Sequence, residues 1–137
     1  MVLENEGMGE IKRIGKNMKE ETKKWLMKAG EDLGTAEDCM KSKRFSASAF
    51  YSQQASEKAL KALQIQKFDK FDKVHDLLVL ADSVKAPGQI TNHCIKLTPY
   101  YTITRYPDVE EPISEDVARD LLDISKKVVE WVKQTLK

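Results

Sequence analysis

The stretch Phe45-Ser-Ala-Ser-Ala-Phe-Tyr-Ser-Gln-Gln-Ala-Ser-Glu-Lys-Ala-Leu-Lys-Ala-Leu63 decides the fold. No glycine or proline interrupts it, and Phe45, Ala49, Ala55, Ala59, Ala62 and Leu63 broaden one apolar stripe at helical spacing. Alanine is the strongest helix former, and its small side chain lets a neighbouring helix come close. The pattern predicts a helix from about Arg44 to Lys67.

Upstream, Trp25, Ala29, Leu33, Ala36 and Met40 recur at spacings of three and four, which predicts a first helix opening at Asn17. Asn17 followed by Glu20 has the form of a capping box. Residues 1–16, with Gly7, Gly9 and Gly15 among scattered charges, read as a flexible leader outside a domain spanning 17–137. Downstream, Val74, Leu77, Leu78, Ala81 and Val84 mark a third helix, with Asp72 as its cap and Pro87-Gly88 as its stop. Ile90, Cys94, Ile95 and Leu97 suggest a short fourth helix, and Tyr100 to Pro112 reads as a structured loop. Ser114 is a natural N-cap for the last helix, where Val117, Leu121, Ile124, Val128 and Val132 repeat in near-heptad register. No stretch alternates as a strand does. The expected fold is all-α, an up-and-down bundle of four to five helices.

Composition narrows the function. The 137 residues suit one domain, and 23 Lys plus Arg against 22 Asp plus Glu leave a net charge of +1, too small to drive nonspecific nucleic-acid binding. Cys39 and Cys94 stand alone, without CxxC or Cys/His spacing, so they read as free thiols in a reducing, cytoplasmic setting. No apolar run approaches the roughly 20 residues that span a bilayer. Phosphate-binding glycine loops, HExxH, EF-hand and GxSxG patterns are all missing, and neither His75 nor His93 has the Glu-x-x-His spacing of a di-metal bundle. No metal, cofactor or catalytic residue is expected from these patterns.

Four pieces in order carry a resemblance. They are the second-helix stretch quoted above, Ala29-x-x-Asp32-Leu33-x-x-Ala36 in the first helix, His75-Asp-Leu-Leu opening the third, and Tyr100-Tyr101-x-x-Thr104-Arg105-Tyr106-Pro107-Asp108 in the late loop. Together, from about Trp25 to Leu136, they resemble the HEPN (higher eukaryotes and prokaryotes nucleotide-binding) domain family. The resemblance implies a bundle of about five helices that commonly dimerises, similar to the substrate-binding domain of kanamycin nucleotidyltransferase. It implies a noncatalytic protein that binds nucleotides, or a minimal nucleotidyltransferase partner in a toxin–antitoxin-type pair. The alternative is a HEPN ribonuclease toxin acting on RNA through a degenerate site of Arg105 and His75. The family's ribonuclease motif, Arg followed after four to six residues by His, is absent.

The candidate nucleotide-binding residues are Tyr51, Gln54, Lys58, Arg105, Tyr106 and Asp108. A planar guanidinium at Arg105 suits a two-pronged grip on phosphate; it suits equally a pairing with Asp108 or Asp32 that pins the loop. Tyr51, Tyr100, Tyr101 and Tyr106 offer flat faces to a base or to the bundle itself. Glu57 and Lys61, four residues apart, read as a weak ion pair on a solvated face, and His75 as a capping or packing residue. Apolar edges at Tyr51/Ala55/Ala62 and Trp131/Val132/Leu136 exceed what one bundle is expected to cover, which points to a homodimer.

Overall fold

A computed structural model describes residues 17–107 and 112–137 of the chain. The expected leader, 1–16, and Asp108 lie outside these residues. The described chain forms α1 (Glu20–Lys41), α2 (Phe45–Phe68), α3 (Leu77–Ser83), α4 (Gly88–Leu97), α5 (Tyr100–Ile103) and α6 (Glu115–Leu136), with no strand among them. The all-α bundle expected from the sequence is the observed architecture.

The α1–α2 hairpin is its base. The turn between the two helices is closed by Lys43 in the left-handed region, with φ 62°, while Arg44 N–H donates to the Cys39 carbonyl at 2.8 Å. This is the double-bonded helix stop usually built on glycine. Side chains then tie the antiparallel pair at three levels. Thr22 Oγ1 donates to Gln66 Oε1 at 2.9 Å, Lys58 pairs with Asp32, and Ser48 Oγ donates to the Ala36 carbonyl at 2.8 Å.

Helix α2 is enclosed by the rest of the chain, with α1 and α6 as its main neighbours and α3, α4 and α5 covering what remains. Its alanines and serines make this possible. Ala49, Ala55, Ala59 and Ala62 have no exposed surface, and Ser125 of α6 reaches in to donate to the Ser52 carbonyl at 2.6 Å and to lie 2.8 Å from Ser56 Oγ. Leu26, Leu60, Leu63, Leu77, Leu80 and Leu97 fill the core around it. A leucine so enclosed contributes about 2 kcal/mol through burial.

Several local expectations change. Lys19, not Asn17, precedes α1, and the Asn17 carbonyl instead accepts a bond from Gln66 Nε2. Asp76 caps α3 by accepting from Leu78 N–H at 2.9 Å, because Asp72 is held by Gln64 through both its backbone N–H and its carboxylate. Helix α3 stops at Ser83, ahead of Pro87, where left-handed Lys85 lets Ala86 N–H reach back to the Ala81 carbonyl. Pro87 stands at the start of α4, which suits a residue with no N–H to satisfy. Pro99 begins the short helix α5 inside the expected loop for the same reason. Ile95 and Val117, expected in the core, are exposed, since Ile90, Cys94 and Leu97 already complete the buried line of α4 and Val117 stands near the start of α6. Ser114 caps α6 as expected, accepting from Val117 N–H at 3.2 Å.

Ala55, Ala62 and Val132, expected on apolar edges left for a dimer to cover, are fully buried within one chain. Tyr51, Trp131 and Leu136 are half-buried. None of the described helices is long and apolar enough to cross a membrane.

Both cysteines are free thiols. Burial, with Asp76 and Asp82 nearby, pushes the Cys94 thiol up to about 12. Thiolate is the reactive form, so at about pH 8 only Cys39 should react with Ellman's reagent in the folded chain. Cys94 should react once urea unfolds the protein, and Cys39→Ser should abolish the native signal. Two thiols reacting natively would contradict the enclosed α4.

Candidate functional site

Glu57 is near the middle of α2 and only 4% exposed, where an unpaired carboxylate would be strongly disfavoured. Three groups satisfy it. Lys61, one turn on and equally buried, donates to Oε2 at 3.1 Å, and Gln53, one turn back, donates to Oε1 at 3.3 Å. His75, from the segment before α3, places Nδ1 at 3.0 Å from Oε1 and 3.2 Å from Oε2. An ionised carboxylate only accepts, so Nδ1 carries the proton. The solvated Glu57–Lys61 face expected from the sequence is thus an interior ion pair. The reason is that α2 has no free face at these positions.

The imidazole is fixed in three ways. Gln53 Nε2 donates to the His75 carbonyl at 3.1 Å, Glu57 holds Nδ1, and the ring lies on Tyr101 with centroids 3.8 Å apart and planes inclined by 14°. Its side chain remains 50% exposed, and Nε2 has no hydrogen-bond partner among the described residues. His75 is therefore a half-exposed ring on a rigid mount, with one nitrogen that has no partner among the described residues. Capping of α3 falls to Asp76.

Tyr101 gathers the remaining pieces. The Arg105 guanidinium carbon is 4.6 Å from its ring centre, and Phe50 of α2 stacks at 6.2 Å, itself meeting Tyr51 edge-on at 5.3 Å. A guanidinium over a ring is held by its quadrupole while its N–H edges stay available. Arg105 is exposed and makes no ion pair among the described residues; Asp32, one expected partner, is occupied by Lys58 and Lys28. Asp32 in turn raises the Lys28 ammonium above its ordinary value.

The sequence-derived candidates divide accordingly. Arg105 and Tyr51 belong to the Tyr101 cluster, and Tyr106 is 54% exposed beside Arg105 in the chain. Gln54 and Lys58 stand behind it in a continuous polar chain. Lys58 bonds Asp32 and donates to Gln54 Oε1 at 3.3 Å, Gln54 donates to Gln53 Oε1 at 2.8 Å, and Gln53 meets Glu57. Glu57, Lys61, His75 and Tyr101 were named from the sequence but left out of the candidate binding residues, and they form the centre of the cluster. Spacing carried no signal for Glu57 and Lys61, because Gln53, Glu57, Lys61 and Gln64 recur along α2 as an exposed polar stripe would and are nevertheless buried.

Two other features stand apart. His93 has a buried Nε2 without a partner among the described residues, and burial, reinforced by Lys127 and Lys96 against Asp120, lowers its pKa. An open recess of about 380 Å³ is lined by Lys96, Tyr100, Asp116, Val117, Asp120 and Leu121, and includes neither His75 nor Arg105. No cluster of three His, Cys, Asp or Glu side chains among the described residues is placed to hold a metal ion.

The sequence profile of the HEPN domain matches residues 22–135. Among solved structures, TT1696 from Thermus thermophilus is similar at a TM-score of 0.78 and 25% identity, over 85% of this chain and 98% of the other. ST0689, an archaeal HEPN homologue, is similar at a TM-score of 0.73 and 26% identity, over 87% of this chain and all (100%) of the other. No curated protein matches.

If Lys61 supports Glu57 as described, Lys61→Met should lower unfolding free energy by about 3 kcal/mol, because a buried carboxylate loses its charge partner. Lys126→Met, which breaks the exposed pair with Glu37, should change it by less than about 1 kcal/mol. Urea denaturation of the two variants checks the contrast, and equal effects would return Glu57–Lys61 to the surface.

Proposed function

The chain belongs to the HEPN domain family, and from that premise we propose that it is a nucleotide-binding member whose phosphate contact is Arg105. The single observation that carries this reading is the Arg105 guanidinium, laid against Tyr101 and unpaired among the described residues. A cation preorganised in this way loses little side-chain entropy when it grips an anion, and its planar edge matches two phosphate oxygens. Tyr106 and Tyr51 supply faces for the base; Gln54 and Lys58 hold the polar chain behind the site.

The same reading includes a two-fold dimer and a minimal nucleotidyltransferase as the partner to which the nucleotide is presented, in a cytoplasmic pair of toxin–antitoxin type. These follow from the family resemblance, and no catalytic step is assigned to the chain. A second reading, cleavage of RNA, rests on one observation: His75 and Arg105 both lie against Tyr101. It is the weaker because phosphodiester cleavage draws on a general acid as well as a base, and the cluster holds one imidazole.

Calorimetric titration with adenine and guanine nucleotides beside a melting curve tests the proposal. Arg105→Lys keeps the charge and loses the fork, so affinity should fall about tenfold while the apo melting temperature stays nearly unchanged. A fall in melting temperature without a specific loss of affinity would make Arg105 a structural residue. RNA cleavage lost in His75→Ala and Arg105→Ala would favour the second reading.

A further inference from the structure

We propose that His75 is a phosphoryl-acceptor residue, reacting through Nε2 with a phosphoryl donor to give an N-phosphorylated imidazole. Four features of the cluster support it. An imidazole attacks phosphorus only through a nitrogen bearing a lone pair. With Nδ1–H held by Glu57, that nitrogen is Nε2, which has no hydrogen-bond partner among the described residues on a half-exposed side chain. The ring is immobilised on Tyr101, so attack needs little reorientation. Arg105, laid against the same tyrosine, puts a positive charge in the cluster, which favours the approach of an anionic phosphoryl donor.

The buried carboxylate completes the arrangement. As the Nε2–phosphorus bond forms, the ring gains positive charge, and Glu57 is already hydrogen-bonded to the Nδ1–H through which that charge is felt. Lys61 donates to Oε2 of the same carboxylate and offsets its charge. In the step, the Nε2 lone pair forms the nitrogen–phosphorus bond, and the bond from phosphorus to the leaving group breaks with its electron pair. A nucleoside triphosphate leaves as the diphosphate; a phosphoramidate leaves as ammonia, its nitrogen already protonated. The transfer asks the chain for one nucleophile, His75, and the charge of Arg105 draws in its anionic donor. The proposal shares Arg105 with the nucleotide reading and stands without it, because the donor need not carry a nucleoside.

The full-length protein is incubated with phosphoramidate, and separately with ATP. Alkaline-stable, acid-labile adducts are then mapped by mass spectrometry under non-acidic conditions. Phosphoramidate should label Nε2 of His75 in the folded chain at least about tenfold faster than in the urea-unfolded chain, with His93 lagging behind. Glu57→Gln should bring the native rate down to that of the unfolded chain, and its folding is checked by circular dichroism. If that variant does not fold, the native-to-unfolded ratio in the wild type still decides. Labelling by phosphoramidate together with failure of ATP to bind would remove the nucleotide reading and leave the acceptor role standing. Nucleotide binding with His75 no faster than in the unfolded chain, or His93 labelled equally fast, would overturn the acceptor role alone.

Discussion

A carboxylate buried at the centre of a helix is the constraint on which the rest of this structure turns. Glu57 is almost removed from water, and its charge is tolerable only because Lys61, Gln53 and His75 surround it. Each partner has a structural consequence. Lys61, similarly buried, lies 6.0 Å from the Trp25 ring and 5.4 Å from Phe71, so the ion pair is sealed by aromatic rings 4.6 Å apart. His75 draws the segment ahead of α3 onto α2. That segment in turn seats Tyr101, and through it Arg105.

The bundle permits this because α2 is built from small residues. Alanine and serine let α1 and α6 approach closely enough to shut out water, and the hydroxyls of Ser48, Ser56 and Ser125 find partners at the crossings. With leucines in place of these residues, α2 would carry a broader apolar surface and hold its neighbours farther off. The polar side chains at 53, 57 and 61 would then be closer to water, and the network would lose the low-polarity surroundings that strengthen it. Fold and site therefore depend on the same property of one helix.

Much of the architecture was legible in the sequence. The limits of α2 are within a residue of those read from its uninterrupted helical pattern, and Ser114 caps α6 because serine before two acidic residues is a strong local signal. What periodicity could not reveal is which polar residues lie inside. Glu57 and Lys61 have the same spacing whether they face water or one another in a core, and residue type alone favours the former. The α1 stripe shows the same difficulty: Leu26 and Asp32 are buried while Trp25 and Leu33 are only partly so, because the helix is rotated to bring Asp32 to Lys58. The Glu57–His75 contact joins residues 18 apart across a turn whose course depends on Gln64 gripping Asp72. Of the candidate site, Arg105 and Tyr51 were legible as chemistry; that they share an aromatic cluster with His75 is a property of the folded chain.

The acceptor role of His75 rests on one physical premise, that Glu57 fixes the ring with Nδ1–H inward and leaves Nε2 as the nitrogen with the lone pair. Family membership is the setting of the nucleotide proposal, and the stacked ring and the guanidinium on the same tyrosine are the local chemistry. Long-range proton–nitrogen NMR of His75 at alkaline pH, where the imidazole is neutral, tests that premise most directly. The Nδ1-protonated pattern is predicted for the wild type, with loss of that preference in Glu57→Gln. A predominantly Nε2-protonated His75 in the folded wild-type chain would contradict it.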